Sequence, residues 1–185
     1  MNVYLPVDEL QASGLATLSN LSSTTPENRT KLISLGVIKL LISSMKLHLK
    51  SAGVQEYGLL TLLNLCHEDK VAETLMKQEI CKLIKDSMET HLQNARVHAN
   101  GLGALNNLCN KDDAVVLAKN GIGKLVIKSM KANLSDAKVQ DIGLRLLANL
   151  ACDRGCAAAL MQQGDVDKLI ATFDQCTDEL IKLAA

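Results

Sequence analysis

The stretch Val54–Cys66 reads VQEYGLLTLLNLC, and it returns three more times with the same skeleton. Residues 10–22 read LQASGLATLSNLS, residues 97–109 read VHANGLGALNNLC, and residues 139–151 read VQDIGLRLLANLA. The central glycines, Gly14, Gly58, Gly101 and Gly143, stand 44, 43 and 42 residues apart. A second stretch follows each copy and keeps the period: LISLGVIKLLISSM (32–45), LMKQEICKLIKDSM (75–88), LAKNGIGKLVIKSM (117–130) and LMQQGDVDKLIATF (160–173). Several columns align through it, including Leu32, Leu75, Leu117 and Leu160, then Ser44, Ser87, Ser129 and Thr172. The last column holds Met45, Met88, Met130 and Phe173. Near-constant spacing of whole columns marks a repeat architecture.

Each unit reads as three helices. Pro26–Leu35 predicts a short first helix: Thr25 suits the cap, Pro26 the first helical position and Glu27 the positive end of the helix dipole. Val37–His48 predicts a second helix, because Val37, Leu40, Leu41 and Met45 follow a helical rather than an alternating period. Ser51–Cys66 predicts the third. Gly36, Gly121 and Gly164 stand between the first and second helices, where a left-handed turn residue fits, and Glu79 replaces that glycine in one unit. Glycine inside a helix costs about 1 kcal/mol against alanine. Its retention at the centre of all four third helices predicts a close helix–helix approach there. Three helices of this length cannot bury their apolar faces alone, whereas stacked units can. The expected fold is all-α, a right-handed superhelical α-solenoid forming a single domain. Its units are a partial one over 1–24, three whole ones over about 25–67, 68–110 and 111–152, and a degenerate or truncated one over 153–185. Asp165 and Lys168 in that last unit read as a polar cap.

The composition narrows the function. The 185 residues carry 20 basic and 20 acidic side chains, so the formal net charge is zero. That argues against a strongly basic nucleic-acid or membrane-surface binder. Aromatic residues are 2%, too few for base-stacking platforms. No apolar run reaches the roughly 18 residues of a spanning helix. Met1–Pro6 lacks the charged and apolar regions of a signal peptide. The six cysteines, Cys66, Cys81, Cys109, Cys152, Cys156 and Cys176, fall in helical patterns and read as buried, reduced thiols. The expected compartment is the cytoplasm, extending to the nucleus. Cys152 and Cys156 lie a turn apart with no histidine to complete a zinc set. There is no phosphate loop, no nucleophile elbow and no convergent acid–base set. No enzyme, metal or cofactor is therefore expected.

These residues resemble the armadillo repeat, a three-helix unit of about 42 residues whose third helix typically reads VQE-x-A-L-W-A-L-x-N-L. Val54-Gln55-Glu56, Gly58-Leu59, Leu62 and Asn64-Leu65 match it, as do Val97, Gly101-Leu102, Ala104-Leu105 and Asn107-Leu108. So do Val139-Gln140, Gly143-Leu144, Leu147 and Asn149-Leu150. The resemblance implies a non-enzymatic scaffold or adaptor that binds a peptide or protein segment along a concave groove of third helices. By position, the backbone-binding asparagines of that groove are Asn20, Asn64, Asn107 and Asn149. An amide offers donor and acceptor together, which suits an extended backbone. The same asparagines can instead bond to a loop or the next unit. Gln55, His98, Gln140 and Arg145 are expected beside them, Arg145 to meet an acidic ligand group. The family's groove tryptophan falls on Ala16, Leu60, Gly103 and Arg145, so the pockets that hold lysines of nuclear-targeting peptides are not expected. The alternative is a structural section of a longer solenoid, or a regulatory arm of a signalling protein, with self-association through uncapped ends.

Two further columns have simpler readings. His48, His91 and Asn133 close the second helices and are expected to bond to their free carbonyls. Lys39, Lys82 and Lys124 read as a solvated face.

Overall fold

Thr25 does what its position predicts. Its hydroxyl accepts a hydrogen bond from the Asn28 amide at 3.2 Å, with Pro26 opening the helix. Thr25 and the helix start hold the exposed Glu27 carboxyl below its ordinary range, its own backbone bond first and the Thr25 side chain next. Local signals of this kind recur along the chain. The Asn94 side chain accepts from Arg96 N and Val97 N at 3.1 and 3.2 Å. The Asp136 carboxylate accepts from Val139 N at 2.9 Å. Each satisfies donors that the first helical turn leaves open.

A computed structural model describes residues 7–76, 80–109, 114–152 and 154–162, together with 167, 170–172 and 174–175. Every regular element among the described residues is a helix. They run α1 (Asp8–Thr24), α2 (Pro26–Ser34), α3 (Val37–Leu47), α4 (Ala52–Leu65), α5 (Asp69–Met76) and α6 (Ile80–Thr90). Then follow α7 (Ala95–Leu108), α8 (Ala114–Lys119), α9 (Ile122–Ala132), α10 (Ala137–Ala151) and α11 (Arg154–Gln162). The helices expected over Pro26–Leu35, Val37–His48 and Ser51–Cys66 are thus present within one residue at each end. Glu79, Asp165 and Lys168 lie outside the described residues.

Helices at equivalent sequence positions pack on one another. α4 lies between α1 and α7, and α7 between α4 and α10. The second helices α3, α6 and α9 pack on the third helices α4, α7 and α10 of their own units, and α3 also meets α6. The core runs through these contacts: Leu15, Leu59 and Leu102 are fully buried on third helices, and Met45, Met88 and Met130 on second helices. Each such side chain contributes on the order of 2 kcal/mol by leaving water.

The repeated glycines are the sockets for the repeated methionines. A methyl group placed on Gly58 would lie 2.7 Å from Met45 Sδ. On Gly101 it would lie 2.7 Å from Met88 Sδ, and on Gly143 2.8 Å from Met130 Cγ. Two sequence columns, 13 positions apart in every unit, are therefore one packing device. The turn glycines act differently. Gly36 and Gly121 have φ of 79° and 74°, the left-handed region that a Cβ disfavours. They turn α2 into α3 and α8 into α9.

The cysteines are only partly as expected. Cys66, Cys81 and Cys156 are buried and unbridged, but Cys152 is exposed. It follows the last turn of α10, beyond the stripe that faces the core. Burial, with Cys81 nearby, pushes the Cys66 thiol up to about 12, which leaves it protonated and unreactive. Cys176 lies outside the described residues.

Candidate functional site

The third helices α1, α4, α7 and α10 place the repeated asparagines in sequence along one layer of the molecule. Asn20 is exposed near the end of α1, and Asn149 is exposed on α10. Asn64 and Asn107 are half-buried between them. All but the first reach back by one unit. Asn64 Nδ2 donates to Ser19 O at 3.0 Å and to Ser22 Oγ at 3.1 Å, tying α4 to α1. Asn107 Nδ2 donates to Leu63 O at 3.0 Å, tying α7 to α4. Asn149 Nδ2 donates to Asn106 Oδ1 at 2.9 Å, tying α10 to α7. The asparagine ladder is thus a set of ties between neighbouring units. The side-chain carbonyls of Asn64 and Asn107 accept from no described group, so each residue keeps an acceptor at the surface of its layer.

Arg145 is exposed on α10 and is paired with Asp141 one turn earlier. Both side chains are more than half exposed, and such a pair contributes little to stability. The guanidinium can exchange that partner for a ligand carboxylate at small cost. Leu60 is half-buried, and Ala148 is exposed beside Arg145. Gly103, also on the column expected to hold tryptophan in a groove, is buried against Leu63 of the preceding unit.

Gln55, His98 and Gln140 do not belong to a ligand-binding face. Their exposures are 0%, 0% and 4%. Gln55 Nε2 donates to Met45 O and His48 O, both at 2.9 Å. Gln140 Nε2 donates to Met130 O and Asn133 O at 2.9 and 2.8 Å. In both units the amide adds a side-chain bond to carbonyls at the end of the second helix, where His48 O, Met130 O and Asn133 O also accept a backbone N–H. His98 takes the same position in the unit between. Its Nδ1 meets Ser129 Oγ at 2.6 Å, and its Nε2 is buried without a hydrogen bond. Burial is the main influence on this imidazole and holds its pKa below the ordinary 6.5. The carbonyls of His91 and Met88 come next and push the other way, while the charges of His91 and Lys128 add to the depression. These three residues were misread because spacing along a helix does not say which neighbour fills the adjacent layer.

The serine column completes this buried network. Ser44 Oγ donates to Gln11 Oε1 at 3.1 Å, as Ser129 meets His98. Gln55 Oε1 and Ser87 Oγ hold the equivalent positions in the unit between, and both are buried without a partner. Desolvated polar atoms of this kind are uncommon and costly.

The His48, His91 and Asn133 column also departs from expectation. His48 is paired with Asp8, His91 Nε2 meets Leu49 O at 2.8 Å, and Asn133 Nδ2 donates to Leu92 O at 3.2 Å. Each crosses about one unit backwards. Asn133 alone also bonds its own helix, at Ser129 O. Two ion pairs also join neighbouring units: Arg29 Nε meets Glu68 Oε1 of the following unit at 2.8 Å, and Arg96 Nη1 meets Glu56 Oε1 of the preceding one at 3.2 Å.

Sequence reasoning missed Asn106 and Asn100. Asn106 accepts from Asn149, and Asn100 Nδ2 donates to Glu56 O at 3.1 Å. Neither lies on a repeated asparagine column, so the period did not single them out. The Asp141–Arg145 pair was legible as an i, i+4 spacing.

Among the described residues no group of three histidine, cysteine or acidic side chains is placed to hold a metal ion. No described helix is long and apolar enough to cross a membrane. In comparisons with protein-family models, curated proteins and solved structures, the chain matches none.

Proposed function

We propose that the chain is a right-handed superhelical α-solenoid of armadillo-like repeats. Its role is that of a non-enzymatic scaffold, binding a peptide or protein segment along the layer formed by α1, α4, α7 and α10. The observation that carries this reading is the asparagine column. It runs along four successive third helices, and Asn64 and Asn107 each keep an amide oxygen with no hydrogen-bond donor among the described residues. A row of acceptors at the spacing of neighbouring helices suits the N–H groups of an extended chain. Arg145 adds a point of charge selection for an acidic side chain. Leu60 offers apolar contact. The protein acts in the cytoplasm or nucleus, on a protein partner rather than a nucleic acid or membrane.

Substituting the asparagines alone would also cut ties between units, so the decisive variants block the face without touching those ties. Leu60→Arg with Ala148→Arg is expected to retain wild-type helicity and melting temperature. Affinity capture from lysate, read by mass spectrometry, should lose the same partners with this variant as with the triple Asn64→Ala, Asn107→Ala, Asn149→Ala. Partners retained by the blocked variant would place binding on another face.

A second reading draws on exposed apolar side chains. Leu10, Leu21 and Leu35 on or beside α1 and α2, and Met161 on α11, are 44–67% exposed. They suit a section of a longer solenoid or a regulatory arm, held by contacts at its two ends. Concentration-dependent sedimentation, abolished by Leu35→Lys with Met161→Lys, would favour that reading.

A further inference from the structure

The second helices carry a feature that the third-helix face does not use. α9 presents Lys124, Lys128 and Lys131, all exposed, and contains no acidic residue. Spacings of four and three residues put them on one side of the helix, over about 10 Å of rise. They line a cleft of about 460 Å³, which Leu92 and Gln93 also line after the end of α6. Ile127 and Ala132 supply apolar lining between the lysines. A second cleft of about 480 Å³ shares Gln93, Lys131 and Ala132 and continues to Ser135. The two form one groove with ammonium groups along its first half.

The charge in this groove is largely uncompensated. Glu89 stands 4.0 Å from Lys128, with both side chains about half exposed. Asp136, at the far end, is engaged in capping α10. The equivalent cleft between α3 and α6 holds about 300 Å³ and is lined by Lys46, Lys82 and Asp86. Asp86 there occupies the sequence position that Lys128 occupies in α9. Positive charge is therefore concentrated in one inter-unit groove rather than spread over the second helices. A flat anionic surface spanning α9 and α6 would also meet Asp86, which lines the neighbouring cleft and not this one.

We propose that this groove binds an extended acidic protein segment. Its carboxylates pair with Lys124, Lys128 and Lys131, and its intervening apolar side chains rest on Leu92 and Ala132. Such a contact would act through charge complementarity and weaken with salt. It is separate from the third-helix face and stands or falls independently of it.

The test uses the full chain and a short fluorescein-labelled peptide of alternating glutamate and alanine, read by polarisation at low and moderate salt. The triple Lys124→Gln, Lys128→Gln, Lys131→Gln is expected to weaken binding about tenfold. The control triple Lys39→Gln, Lys46→Gln, Lys82→Gln removes the same charge from α3 and α6 and should weaken it much less. The asparagine variants of the third helices should leave it unchanged. Equal weakening by both lysine triples would overturn the proposal in favour of diffuse attraction, and absence of peptide binding would overturn it outright. Sedimentation with phosphatidylserine-containing vesicles that depends on the α9 lysines, with no peptide binding, would replace it with a membrane contact.

Discussion

His98 shows how much a single position depends on its neighbours. It occupies a place where the flanking units carry Gln55 and Gln140, and where a glutamine amide satisfies two backbone carbonyls. The imidazole meets Ser129 but leaves Nε2 buried and unbonded. Burial disfavours its charged form, so the folded chain binds a proton less readily than the unfolded chain does. Stability from this site is complete above the ordinary histidine value of 6.5. It declines as the pH falls through that value, because the unfolded state then takes up a proton that the fold resists. His98→Gln should raise stability at neutral pH by about 1 kcal/mol, the net worth of a recovered buried hydrogen bond. It should also narrow the gap between melting temperatures measured at about pH 7.5 and about pH 5.5. A gap as wide in the variant as in the wild type would show that other groups carry the acid sensitivity.

At the scale of elements, the contact between a second and a third helix depends on a glycine and a methionine acting together. Gly101 admits Met88 so closely that an added methyl group would lie 2.7 Å from its sulfur. Gly101→Ala should therefore destabilise by about 1–3 kcal/mol through overpacking, despite the better helix propensity of alanine. With Met88→Ala as background the space is empty, and the same substitution should be neutral or stabilising. Urea unfolding of the four proteins in this cycle measures the coupling. An equal penalty in both backgrounds would mean that Gly101 answers to something other than Met88. Helix existence and length were legible beforehand, because Thr25, Pro26 and the apolar period of α3 act within a few residues. The partner of Gly101 was legible only as a close approach, since nothing local names the side chain that enters.

Across the whole molecule, polar side chains join each unit to the one before. Asn64, Asn107 and Asn149 do so between third helices, His91 and Asn133 do so from the ends of second helices, and Arg96 does so through Glu56, while Glu68 reaches back to Arg29. Stability in such an arrangement is approximately a sum of unit terms and nearest-neighbour terms. Asn107→Ala removes one neighbour term at the middle of the chain. It should cost about 1 kcal/mol and lower the urea m-value as cooperativity between the halves weakens. Asn20→Ala, at an exposed site on α1, should stay within about 0.5 kcal/mol of wild type. Equal effects from the two substitutions would deny the asparagine column its structural role.

The sequence by itself determined that the chain is helical, where its helices start and turn, and that they recur in register. Caps, proline, left-handed glycine and apolar period act over one or two turns, so they can be read along the chain. The tertiary structure alone decided what each polar column faces. Gln55 and Gln140 looked like groove residues and became buried caps, whereas Asn64 and Asn107 stayed at the surface of their layer. The difference is made by a helix one unit away, whose carbonyls must be satisfied once water is excluded. Helical periodicity says that two residues share a face, but only the packed neighbour says whether that face meets solvent, a ligand or the protein itself.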